Sequence, residues 1–292
     1  MSIKDASPFA TRFVFHANAV ASDVFLTKVH GVEQTIYHPI DGQSSLGSIG
    51  GKSRNEVFAP KFDKPLADVF FYGASVTSAE GVFEGQTPVT TAHARVEDLR
   101  ITNREKAHSP DVVFRAAVLS QTVVSKYSPD PGQSRFDCPE IPIFKGLSLD
   151  GSPIELTLNE ELLGCARWCD VEHRYKHDEA FFKSCPFVPG ETNRPPKFGD
   201  DIPRRPGSYA ATSFVRGIRV GDRTIEGHVL PVPGFGLIYF GEILLSEGER
   251  RVTMVRTKLG CQSAGQSVNS ETDPNGSTTG PGSGGGGGKS SS

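Results

Sequence analysis

No stretch of the chain approaches the eighteen or more consecutive apolar residues that a membrane-spanning helix needs, so no membrane span is expected. Cysteine is scarce and odd in number: five residues without a Cys-x-x-Cys pair argue for free thiols or ligands over a disulfide framework. One Trp and six Tyr leave little material for aromatic sugar platforms, although nineteen Phe supply a substantial core. Charge of one sign is lacking as well. The 34 acidic and 31 basic side chains nearly cancel, to −3, which argues against a groove tracking a phosphate backbone and against nucleic acid as a partner. Neither Gly-x-Ser-x-Gly nor His-Glu-x-x-His occurs, and no other catalytic residue can be named, which weighs against an enzyme. Residues 1–23 contain no uninterrupted apolar core of a signal peptide, because Asp5, Pro8, Arg12 and His16 break it. The expectation is a soluble, cytoplasmic protein.

One stretch imitates a nucleotide site. Leu46 to Ser53, "LGSIGGKS", ends like a phosphate-binding loop, but Leu46 stands where the first glycine belongs. The residues after it carry Pro60 and Pro65, which oppose the helix such a loop must open. A surface loop is the better reading.

What is present is strand. "TRFVFHANAV", "ADVFFYGASVTS", "TPVTTAHARVEDLRI", "DVVFRAAVLSQTVV", "SYAATSFVRGIRV", "FGLIYFGEILL" and "RRVTMVRTKL" are rich in Val, Ile, Phe and Thr with partial period-two alternation. Hairpin turns are expected at Asp150-Gly151, Gly221-Asp222 and Glu247-Gly248. Closely spaced turns favour antiparallel pairing, in a β-sandwich or flattened barrel. A recurrent aromatic followed by small residues, as in Phe15 to Ala19, Tyr72 to Ser75 and Phe114 to Ala117, suggests two sheets packed closely. In "GFGLIYFGEILL", strict alternation puts Leu237, Tyr239, Ile243 and Leu245 on one face and Ile238, Phe240 and Leu244 on the other. A strand apolar on both faces must be covered twice, by core and by a helix, a loop or another subunit.

From Gln262 to Ser292 the composition collapses to Ser, Gly, Thr, Asn and Pro and is expected to form a disordered tail, leaving residues 1–261 as a single β-rich domain. Glu271 and Asp273 against Lys289 give this tail one of the three net negative charges.

One long helix is expected at about residues 159–183, opened by a Thr157–Glu160 capping box and stopped by Pro186. On it Cys165, Cys169, His173 and His177 form a ladder with four-residue steps. Its rise of roughly 18 Å is too long for all four to hold one ion. Cys169, His173 and His177, joined by Cys185 just beyond the helix or by Cys138, Cys261, His16 or His93, are the candidate metal ligands, for zinc or another transition metal. The competing reading is a small-residue packing face with histidines favouring the negative end of the helix dipole. "GDDIPRRP", with Asp200, Asp201, Arg204 and Arg205, reads as a solvated loop.

These observations favour a non-enzymatic structural or binding β-protein that self-associates through a sheet surface or edge as a homo-oligomer. The alternative is a metal-dependent enzyme or metal-binding protein using the Cys/His face. A third is a protein holding a small apolar ligand between its sheets.

Overall fold

The structure, a computed structural model, describes residues 12–130, 133–185, 187, 196–204 and 209–279. In chain order these form β1 (Arg12–Val29), β2 (Val32–Ser45), β3 (Gly51–Phe58), α1 (Leu66–Val69), β4 (Phe70–Phe71), β5 (Ala74–Glu84), β6 (Thr87–Asn103) and β7 (Val112–Lys126). Shorter elements follow: β8 (Arg135–Asp137), β9 (Ile143–Lys145), β10 (Ser148–Leu149), β11 (Ser152–Leu158), α2 (Glu160–Gly164), α3 (Trp168–His177) and α4 (Glu179–Ser184). The chain closes with β12 (Ala210–Ser213), β13 (Val215–Val220), β14 (Arg223–Glu226), β15 (Val229–Val232), β16 (Gly236–Leu245), β17 (Arg250–Gly260) and β18 (Ala264–Thr279).

The strands make two large antiparallel sheets that pack on each other without closing into a barrel. The first runs β12-β16-β17-β18-β1-β2, with β15 beside β12 along the same edge of β16; the second runs β14-β13-β11-β10-β7-β6-β5-β3, with β4, β8 and β9 on its flanks. All three expected hairpins form. Asp150 and Gly151, at φ +49 and +80, turn β10 into β11 in the left-handed conformation that a two-residue hairpin requires. Lys52 lies in strand β3, paired with Glu80 of β5, where a phosphate loop would have begun a helix.

The centre of the sandwich is built from small residues. Ala17 and Ala19 of β1 meet Ala79, Ala92 and Ala94 of β5 and β6, all essentially inaccessible. Close approach lets polar groups bridge the sheets: the Gln121 amide donates to the carbonyls of Val252 and Ser270, each at 2.8 Å, and Ser270 Oγ donates to Ala94 O at 3.0 Å. Phe70, Phe114, Phe136, Phe214 and Phe240 fill the larger apolar core outside this waist.

The expected tail contains a central strand. β18 pairs with β1 over nearly its whole length and with β17 as far as Thr272. Its inward Ser267 and Asn269 are satisfied within the sheet: Ser22 donates to Asn269 at 2.9 Å, Thr257 and Ser267 share a hydrogen bond at 2.9 Å, and Asn269 donates to Ser267 at 3.0 Å. Pro274, which has no N–H to give, stands beyond the last β17 partner in the ladder. Residues 280–292, the rest of the expected tail, lie outside the described residues.

The expected single helix is three short ones. Asn159, rather than Thr157, caps the first, accepting from Leu162 N at 3.1 Å. The helix stops at Gly164 because the next residues bond to the sandwich: Phe136 N donates to Ala166 O at 2.7 Å and the buried Arg250 donates to Cys165 O at 2.8 Å. Asp178 makes the second break, extended at φ −119 and ψ 103, with its carboxylate capping α4 through Phe181 N at 3.0 Å. The loop read as solvated straps α3: Asp201 pairs with Lys176 at 2.6 Å and Arg204 stacks on Trp168 at 4.9 Å. Among the described residues no helix is long and apolar enough to cross a membrane.

Candidate ligand cleft on the open face of the first sheet

A row of unusual backbone crosses the first sheet. By register, Gly241 of β16 faces Met254 of β17, which faces Ser270 of β18, then Ala21 of β1 and Gly42 of β2. Every second member is left-handed: Gly241 at φ +61, Ser270 at φ +55 and Gly42 at φ +70. Register is kept across the row, yet the alternation of faces slips on all the strands from β16 to β1. The inward side chains are Ile238 and Phe240, then Ile243 and Leu245; on β17 they are Thr257 and Val255, then Val252 and Arg250.

This slip corrects the two-faced reading of β16. Ile243 and Leu245 join Ile238 and Phe240 in the core, while Glu242, which strict alternation would bury beside them, turns outward with Tyr239. The same slip turns Thr253 and Glu271 to that face, and direct cross-strand pairing lines up Glu242, Thr253 and Glu271 side by side on β16, β17 and β18.

The outward residues line a cleft of about 660 Å³, floored by β16, β17 and β18 and walled by β12 and by His228 and Val229 at the start of β15. Arg256 forms a two-pronged ion pair with Glu242, at 2.7 Å on each prong, and its guanidinium lies 3.7 Å from the centre of the Tyr239 ring. The fork and the ring fix the side chain from two directions. Thr253 Oγ1 donates to Glu271 Oε2 at 2.9 Å. Behind Glu271, Arg251 reaches Asp273 at 3.2 Å and Glu249 at 3.7 Å, and Tyr209 donates to Glu249 at 2.6 Å.

Burial pushes the Glu271 carboxyl above the usual carboxylate range, against the opposing pull of Arg251 and the Thr253 hydrogen bond. Asp273 is raised by burial and by the charge of Glu249. Burial lowers His228, so the imidazole is held towards its neutral form, with the Glu242 charge opposing. Burial works against the charge of Arg251, but Glu271, Asp273 and Glu249 outweigh it and hold its pKa above the ordinary value. The cleft therefore combines a carboxyl whose burial raises its proton affinity, an imidazole biased towards neutrality and an internally paired cation. Such a set suits hydrogen bonding to a polar molecule.

The sequence-derived metal ligands lie elsewhere and apart. The buried face of α3 is Trp168, Val171 and Tyr175, so Cys169, His173 and His177 point away from the core, about 160° round the helix. The His173 and His177 rings stack loosely, centroids 4.8 Å apart, on an exposed surface, and Cys169 is half-buried beside Asp170. His177 does occupy the last helical turn with Arg174 and Lys176, as the dipole reading anticipated. Cys185 is fully buried and accepts a hydrogen bond from Asn159 Nδ2 at 3.1 Å; burial pushes its thiol up to about 11, away from the thiolate a metal needs. Among the described residues no group of three or more His, Cys, Asp and Glu is arranged to hold a metal ion.

Sequence reasoning missed Glu242, Glu271 and His228. Glu242 had a signal, being the only charge in Gly236–Leu245 and following a glycine. Glu271 had none in the composition around it. Comparison with protein-family models, curated proteins and solved structures finds no match to the chain.

Proposed function

We propose that the protein is a non-enzymatic binding protein that takes a small polar, hydrogen-bonding molecule into the cleft on the open face of its first sheet. The observation that carries this reading is the slipped row at Gly241, Met254 and Ser270, which turns Glu242, Thr253 and Glu271 out together beside Tyr239 and Arg256. Residues that strict alternation would have buried stand instead around one cavity. Binding is favoured over catalysis because the polar groups are already committed to each other, Arg256 to Glu242 and Thr253 to Glu271, with no nucleophile held against a base. A polar ligand is favoured over an apolar one because Glu242, Thr253, Arg256 and Glu271 stand together on the cleft floor.

The test is a thermal-shift and calorimetric panel of neutral polyols, amines and carboxylates against the wild-type protein and Glu271→Ala. A saturable ligand among the polyols or amines, bound about tenfold more weakly by the variant, is the expected result. A panel in which no compound separates the two proteins would overturn the reading.

A further inference from the structure

A second cavity, of about 420 Å³, opens on the far side of the molecule, where the β1–β2 turn and α1 come up beside the open face of the second sheet. Its floor contains an unfavourable juxtaposition. Arg100 of β6 and Arg115 of β7 are directly opposed in the antiparallel register, which puts their Cβ atoms roughly 5 Å apart on one face. Like charges in that position destabilise a sheet unless something answers them. Among the described residues neither guanidinium has a carboxylate partner: Arg100 rests on the Phe71 ring at 5.7 Å, and the Arg115 side chain makes no hydrogen bond or ion pair. Elsewhere the sheets set arginine against glutamate, as in Arg95 with Glu97, Arg219 with Glu155 and Arg256 with Glu242.

A third guanidinium completes the wall. Arg104 is held by His30 Nδ1 at 3.1 Å, by Ala107 O at 3.3 Å and by Asp111 at 3.6 Å, and His30 in turn approaches Asp68 at 3.9 Å. Thr102 contributes a hydroxyl. Three guanidiniums thus share one small cavity with only two carboxylates, Asp68 and Asp111, of which one is engaged with His30 and the other with Arg104.

We propose that this pocket binds a phosphoryl oxyanion, with Arg100 and Arg115 as paired clamps and Arg104 as a positioned third donor. Planar guanidiniums offer parallel N–H donors that match phosphate oxygens two at a time, and a doubly charged anion between Arg100 and Arg115 removes the repulsion that the register otherwise imposes. The cavity has room for a phosphate with a small substituent, and the chain's net charge of −3 disfavours a nucleic acid backbone.

The experiment measures the melting temperature and calorimetric affinity of the full chain for inorganic phosphate, sodium chloride holding ionic strength constant, in wild type, Arg100→Gln, Arg115→Gln and Arg219→Gln. Saturable stabilisation by phosphate is expected in the wild type and in Arg219→Gln, weakened about tenfold or more in the other two. Without phosphate, Arg115→Gln is expected to melt above wild type, because it removes the repulsion; a purely structural arginine would lower the melting temperature. Glycerol phosphate binding more tightly than inorganic phosphate identifies a phosphorylated small molecule as the ligand, and the reverse order identifies the free anion. An equal response to chloride, equal phosphate binding by all four proteins, or binding of succinate but not phosphate would each overturn the assignment.

Discussion

On the open face of the first sheet, Arg256 and Arg251 each meet a carboxylate; on the open face of the second, Arg100 and Arg115 meet each other. The two faces belong to one sandwich and both carry a slip in alternation, so the contrast lies in which side chains each slip turns outward. Where the chain slips its alternation, at Gly241 and Ser270, a carboxylate arrives beside each guanidinium and the charge is answered internally. On β6 and β7 the alternation slips in the same way, at Asp98 with φ +54, but there it turns two arginines out opposite each other and the charge is left for a ligand. Paired charge prepares a site for a polar molecule, and unpaired charge prepares one for an anion.

The largest effect on this contrast is expected from Gly241→Val. An added Cβ would sit 2.9 Å from Val215 and 3.0 Å from the Phe214 ring, at a φ that a β-branched residue rarely adopts, so the slip cannot be kept without strain. Urea denaturation should show a loss of about 3 kcal/mol or more, with the cleft ligand no longer bound. A variant of wild-type stability would show that the row is not a structural requirement.

A smaller loss is expected from Arg256→Ala, which leaves the half-buried Glu242 without its fork and Tyr239 without its cover. About 1–3 kcal/mol is expected from denaturation, and the matching substitution Arg115→Gln on the other face should move stability the opposite way. Equal signs at the two sites would dissolve the distinction between paired and unpaired faces.

The smallest expected effect appears in pH dependence. The raised pKa of Glu271 means that the folded state holds its proton more tightly than the unfolded chain, so the favourable contribution is complete below the unfolded value and is lost as pH rises through the folded one. Glu271→Gln imitates the protonated form. Its melting temperature should exceed that of wild type at neutral pH and converge with it near pH 4. The lowered pKa of His228 works the other way, with stability complete above the unfolded value of about 6.5 and lost as pH falls through the lower folded one, so a His228→Gln background should sharpen the Glu271 profile.

Much of the scaffold was legible in the sequence because it rests on local rules. Alternating Val, Ile, Phe and Thr marked the strands, and Asp150-Gly151 marked a turn that only left-handed residues can make. The helix was overextended because its breaks are imposed from outside, by Phe136 and Arg250 bonding to the carbonyls of residues 165 and 166. β18 was hidden for a different reason. Its inward residues include Ser267 and Asn269, which are buried by hydrogen bonding to neighbouring strands rather than by apolar transfer, and hydropathy does not register that kind of burial. The cleft was hidden with it, since Glu271 lies on β18 and Glu242 turns outward only because alternation fails at Gly241. Arg100 and Arg115 are ordinary in sequence and become notable only once register sets them face to face.

The central claim is that Glu271, in a segment whose composition resembles a tail, is a half-buried group in a formed cleft. Its carboxyl can be followed directly by ¹³C NMR through a pH titration of the full chain, assigned by comparison with Glu271→Gln. The account expects a single carboxyl titrating clearly above the ordinary glutamate value of about 4.3 and absent from the variant. A Glu271 signal titrating at that ordinary value, as an exposed glutamate in a solvated tail would, would contradict the cleft and the binding function drawn from it.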